Sequence, residues 1–124
     1  MLLTRTATNR RADGARYEDI ALAHLERAGL ALIARNYTCR YGEIDLVMRD
    51  RDVVVFVEVR YRSAGRFGDG VDSITAAKRT KLVRAAGAFL AEHPRLAAAT
   101  CRFDVLAIGD ASAIDWRQNA FEAC

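Results

Sequence analysis

With 124 residues, 52% of them apolar, the chain has material for one modest hydrophobic core and not for two. Its 19 basic and 16 acidic side chains leave a net charge of +3, too mild by itself to announce a nucleic-acid binder. Cys39, Cys101 and Cys124 make neither an even set nor a CxxC pair, and no apolar run reaches the roughly 18 residues of a membrane span, which argues against a disulfide scaffold, a thiolate zinc site and an integral membrane protein. "MLLTRTATNRRADG" lacks the apolar centre of a secretory signal, so a cytoplasmic protein is expected.

Residues 1–12 are polar and arginine-rich without periodicity, which predicts a mobile basic arm in which Arg10 and Arg11 are free to meet phosphates. A single domain should fill 13–124. From Asp13, the apolar positions Tyr17, Ile20, Ala21, His24, Leu25 and Ala28 recur at helical spacing, and Gly29 supplies a C-terminal cap. "LALIARNY" then predicts a strand over 30–37. In "GEIDLVMRDRDVVVFVEVRYR", two apolar runs flank "RDRD", the pattern of an antiparallel hairpin. "SAGRFGDG" is a glycine loop, after which Asp72 or Ser73 can cap a helix over "ITAAKRTKLVRAAGAFLAEH" that ends at Pro94. A strand "CRFDVLAIG", a short strand "AIDW" and a fraying C-terminus follow.

The hairpin carries the chemistry. Residues two apart in a strand share a face, so Glu43, Asp45 and Val47 should oppose Ile44, Leu46 and Met48, and Glu58 should share a face with Val54, Phe56 and Arg60. If facing residue numbers add to an odd value, as a two- or four-residue turn requires, Glu43, Asp45 and Glu58 gather on one face with Arg60. One such register sets Asp45 opposite Glu58, another sets Glu43 there. Acids facing each other in an apolar sheet need protonation, a basic neighbour or a cation. Arg60 could supply a salt bridge. Alternatively, Asp45 and Glu58 could hold Mg²⁺ or Mn²⁺, which favour hard oxygen ligands, with a backbone carbonyl near Val59.

"GEIDLVMRD", "VFVEVRYR", "DSITAAKRTKL" and "CRFDVLAI" together resemble the YraN family of small bacterial proteins, from about Asp13 to "AIDWRQNAFE". That family is similar to PD-(D/E)xK nucleases of the Holliday junction resolvase type. The resemblance implies an α/β fold with a restriction endonuclease-like core, a mixed central sheet flanked by helices in the order α-β-β-β-α-β-β. It also implies metal-assisted phosphodiester hydrolysis on DNA, with branched or repair-intermediate DNA as substrate and a two-fold homodimer. Carried over by position, the site comprises Glu18, Asp45, Glu58 and, in the lysine place, Arg60. Glu18 would reach the metal directly or through water, although a Glu in a helix's first turn also serves the helix dipole. Glu43 would stand behind the ligands or at the surface. Arginine stays protonated, so Arg60 could orient a phosphate but not act as a base.

On the second helix, Lys78, Lys81 and Arg84 fall within about a third of the circumference and could grip phosphates, or form a solvated outer face. His24 is expected to pack, Asp104 to pair with Arg102, and Trp116 to pack the last strand. Two alternatives to an enzyme remain open: a non-catalytic nucleic-acid-binding or assembly module that keeps the nuclease fold, and a protein adaptor.

Overall fold

A computed structural model describes residues 7–62, 74–110 and 113–122, with side chains from residue 14 onward. Helix α1 spans Ala7–Arg27, six residues earlier than the apolar periodicity suggested. Alanine and arginine are good helix formers, and residues 7–12 continue the helix although they add no apolar stripe. Arg10 and Arg11 therefore belong to α1, and residues 1–6 lie outside the described residues. Gly29, at φ 102°, closes α1: its N–H donates to Glu26 O and that of Leu30 to Leu25 O, both at 3.0 Å. This is the paired bonding of a Schellman cap, which needs a left-handed residue.

Strands β1 (Ala31–Cys39), β2 (Gly42–Asp50) and β3 (Val53–Tyr61) form an antiparallel meander. Helix α2 (Ala76–Glu92) then crosses over to β4 (Thr100–Ile108), which pairs parallel with β3, and β5 (Ile114–Phe121) returns antiparallel beside β4. A single 3-10 turn, Pro94–Leu96, follows α2. The sheet order is β1-β2-β3-β4-β5. Element order and mixed sheet are those expected of an endonuclease-like core. The strand after α1 starts one residue later and ends two later than the apolar run indicated. The last strand reaches Phe121, not just "AIDW", because Phe121 stacks on Phe103 at 4.9 Å between ring centres and is buried there. Thr75 caps α2 by accepting the Lys78 N–H at 3.1 Å. Asp72, Ser73 and the glycine loop lie outside the described residues.

The helices cover opposite faces. Ala21 and Leu25 of α1 pack on Leu46, Met48, Val55, Val57, Leu106 and Ile108. Leu82, Ala85, Ala86 and Phe89 of α2 pack on Val47, Val54, Phe56, Phe103 and Val105. Covered on both sides, the central strands carry apolar residues at successive positions, each fully buried Val, Leu or Phe being worth about 1.5–3 kcal/mol.

Two local features shape the hairpin. Asp50 faces Val53 across a two-residue turn in which Arg51 takes φ 57°, and the register runs without slip to Leu46 facing Val57. One step further sets Asp45 against Glu58, the first of the two registers expected. The β2–β3 ladder stops there, so the N-terminal third of β2 pairs only with β1 and the sheet forks. At the fork the alternation also fails. Ile44 packs in the α2-side core with Val47, whereas Leu46 and Met48 lie on the α1 side. Opposite, Asn36 adopts φ 55°, a conformation asparagine tolerates better than most residues. Despite the break, Glu43 and Asp45 stay together, their carboxylate oxygens within 4.8 Å of each other and both lining one cleft with Glu58.

Candidate metal centre

The fork gathers acids from two elements. Glu18 of α1, Glu43 of β2 and Asp45 of β2 each place a carboxylate oxygen within 4.8 Å of the others. Glu18 lies about three turns into α1, so its place in the chain serves no helix-terminal dipole. Its side chain is largely covered and meets Arg35 Nε at 3.4 Å; the same guanidinium reaches Asp19 at 2.7 Å. Glu43 is exposed and accepts from Thr38 Oγ1 at 3.3 Å.

Asp45 is the hinge of the arrangement. Its Oδ2 accepts the backbone N–H of Val59 at 2.8 Å, a donor that the ended ladder leaves without a strand partner. The contact Val59 makes to the acids is thus through its N–H. Burial, followed by the charge of Glu58, pushes the Asp45 carboxyl up to about 8; Glu18 adds to this and the Val59 N–H opposes it. Burial and the neighbouring carboxylates thus favour the protonated acid.

Glu58 is buried beside Asp45, with 7% of its surface exposed, and its cation comes from an unexpected direction. Lys78 Nζ of α2 lies 2.6 Å from Glu58 Oε2. Arg60, expected to neutralise an acid here, is half-buried, and among the described residues no ion pair joins it to these acids. The reason is geometric: α2 lies over the face of β3 that carries Glu58, which brings the lysine within reach. Lys78 and Lys81 line an open cleft of about 520 Å³ together with Glu43, Asp45, Glu58, Val59 and Thr75. Arg84 lies in two other grooves along α2, so the expected basic stripe divides between surfaces.

The donor set suits a hard divalent cation. Three carboxylates from two strand positions and a helix converge, no thiol or imidazole joins them among the described residues, and the half-buried Asp45 and buried Glu58 have one ammonium between them. Of the residues picked out in the sequence, Glu18, Asp45, Glu58, Lys78 and Lys81 come together. Glu43 joins the converging carboxylates rather than standing behind them. Arg35, which holds Glu18, was missed; it lies in an ordinary amphipathic strand with no motif around it.

Other predicted polar residues have structural partners. Asp104, 1% exposed, receives Arg102 Nε at 3.0 Å, Trp116 Nε1 at 3.0 Å and the Asn119 N–H at 2.9 Å. Trp116 thus does more than pack. His24 meets the Trp116 ring edge-on, as a packed histidine. No helix among the described residues is long and apolar enough to cross a membrane.

Comparison with known proteins places these features in a lineage. The model of Uncharacterised protein family UPF0102 matches residues 17–108, from the residue before Glu18 to the end of β4. A UPF0102 protein of Xanthomonas campestris pv. campestris (strain B100) is 54% identical over 113 residues, covering 90% of this chain and 93% of the relative. Another, from Stutzerimonas stutzeri (strain A1501), is 49% identical over 115 residues, covering 90% and 96%. Every acid of the fork and both lysines of the cleft fall within the matched segment, and the chain belongs to the UPF0102 family, the YraN proteins whose segments it resembled.

Proposed function

We propose that this protein is a Mg²⁺- or Mn²⁺-dependent endonuclease that hydrolyses DNA phosphodiesters, with branched or repair-intermediate DNA as its substrate class. The observation that carries the reading is the convergence of Glu18, Glu43 and Asp45 within 4.8 Å, beside the buried Glu58 and facing two lysines across one cleft. Glu18, Glu43 and Asp45 would hold the cation, and Glu58 would complete the set from β3. When bound, such an ion supplies Lewis acidity toward a phosphate oxygen and stabilises the charge that develops there. Lys78 and Lys81 would draw the phosphate into the cleft, and the Val59 N–H keeps Asp45 aimed at it. Arg60 would orient a phosphate and has no role as a base.

A non-catalytic nucleic-acid-binding module is the second reading, and one observation favours it: Lys78 already satisfies Glu58. The two separate cleanly. Mn²⁺ titration by calorimetry, with labelled branched and linear DNA in the same samples, should give saturable binding and cleavage for the wild type and neither for Asp45→Ala, with folding intact by circular dichroism. Salt-sensitive DNA affinity that survives Asp45→Ala and Glu58→Ala, without cleavage by the wild type, would establish the binding module instead.

A further inference from the structure

We infer that Lys78 is an exchangeable internal cation: it holds Glu58 when no metal is bound, and a divalent ion displaces it toward the substrate phosphate. The inference rests on the metal-site reading above and adds a sequence of events to it. Three observations support it. The ammonium lies 2.6 Å from Glu58 Oε2, against a carboxylate that is 8% exposed, so it occupies one side of the acid cluster. The lysine itself is 47% exposed and lines the cleft, so its flexible four-carbon stem has room to swing without disturbing the core. Its backbone is anchored independently, through the N–H bonded to Thr75 Oγ1, so release of the side chain leaves α2 in place.

Charge arithmetic then gives direction to the exchange. A monovalent ammonium beside Glu58 opposes a dication entering the same cluster, and a dication attracts the neighbouring carboxylates more strongly than the ammonium does. Once the ammonium leaves Glu58, the nearest open space is the cleft it shares with Lys81, where a phosphate would bring the next negative charge. Metal loading should therefore raise DNA affinity by freeing a lysine as well as by adding its own charge. Lys78 is a positioning residue in the metal-free protein and a phosphate contact in the loaded one.

The test measures Mn²⁺ affinity by calorimetry for wild type, Lys78→Met and Lys78→Arg, followed by short duplex DNA binding by fluorescence anisotropy with and without Ca²⁺. Lys78→Met should bind Mn²⁺ about three- to tenfold more tightly than wild type, since a partly screened repulsion is removed, while Lys78→Arg stays near wild type. The gain in DNA affinity on adding Ca²⁺ should be smaller in Lys78→Met than in wild type. Mn²⁺ affinity that is unchanged or weaker in Lys78→Met overturns the exchange while leaving the metal site standing. Tighter Mn²⁺ binding with an undiminished Ca²⁺-dependent gain overturns the step toward phosphate. Absence of saturable binding in wild type and both variants overturns the metal site and the exchange together.

Discussion

Asp45 and Asp104 both accept a backbone N–H where a strand ladder is interrupted, from Val59 at 2.8 Å and from Asn119 at 2.9 Å. Around Asp104, the irregularity in the β4–β5 pairing is filled by one carboxylate, which Arg102 grips with two nitrogens and Trp116 completes. Arg102 continues to Asp50 at 3.0 Å, so the charges there alternate in sign. Around Asp45, the neighbours are Glu58, Glu18 and Glu43, and the nearest ammonium belongs to Glu58. The same backbone device therefore serves two ends. A buried acid whose every oxygen is paired holds strands together, whereas one set among other acids retains a demand for positive charge.

The sharpest way to break this comparison is at Asp104. Asp104→Ala leaves an indole N–H and a backbone N–H without their acceptor and the half-buried Arg102 with Asp50 alone, and should lower stability by about 3–5 kcal/mol, measured by urea denaturation. A loss below about 1 kcal/mol would place Asp104 in the same class as Asp45.

At Asp45 the opposite sign is expected in chelator. Its carboxyl is raised from 3.8 to about 8 in the fold, so the folded state binds a proton that the unfolded chain has lost. That contribution to stability is fully present below about pH 4, and is lost as pH rises through about 8. Asp45→Asn should flatten this decline and stabilise the metal-free protein by about 1–2 kcal/mol at pH 8, read from thermal melts in EDTA between pH 5 and 8.5. Mg²⁺ should remove the decline in wild type and have no effect in the variant.

A smaller effect should link the acid site to the helix that serves it. Thr75→Ala removes the cap of α2 and should cost about 1 kcal/mol by denaturation, while loosening the turn that carries Lys78. The smallest effect is expected at Arg35, whose bridge to Glu18 and Asp19 is partly exposed. Arg35→Gln should change stability by less than about 1 kcal/mol, and a larger loss would mean that Glu18 is held as firmly as Asp104.

Much of the frame was legible because it depends on neighbours in the chain. The hairpin itself was legible from the two apolar runs flanking "RDRD", although its register, left open between two odd sums, was chosen by the two-residue turn at Arg51 and Asp52. Apolar periodicity located both helices and four of the five strands closely, and Gly29 marked the end of α1. The start of α1 was not legible, since residues 7–12 extend a helix without extending the apolar periodicity of the sequence. The C-terminal part of β5 was obscured because its anchor, Phe121, is held by a stack on Phe103 from another strand.

The site divides along the same line. Local alternation and residue chemistry by themselves marked Asp45 and Glu58 as acids in a strand interior that require compensation. Which cation provides it was decided by tertiary structure: Arg60, two residues away, is near in sequence, but α2 lies across the face of β3 and delivers Lys78. The part played by Glu43 was likewise decided by tertiary structure, which brings Glu18 of α1 within 4.8 Å of Glu43 and Asp45. Charge pairs form by distance through space, and distance across packed layers is a property that periodicity along a single chain does not contain.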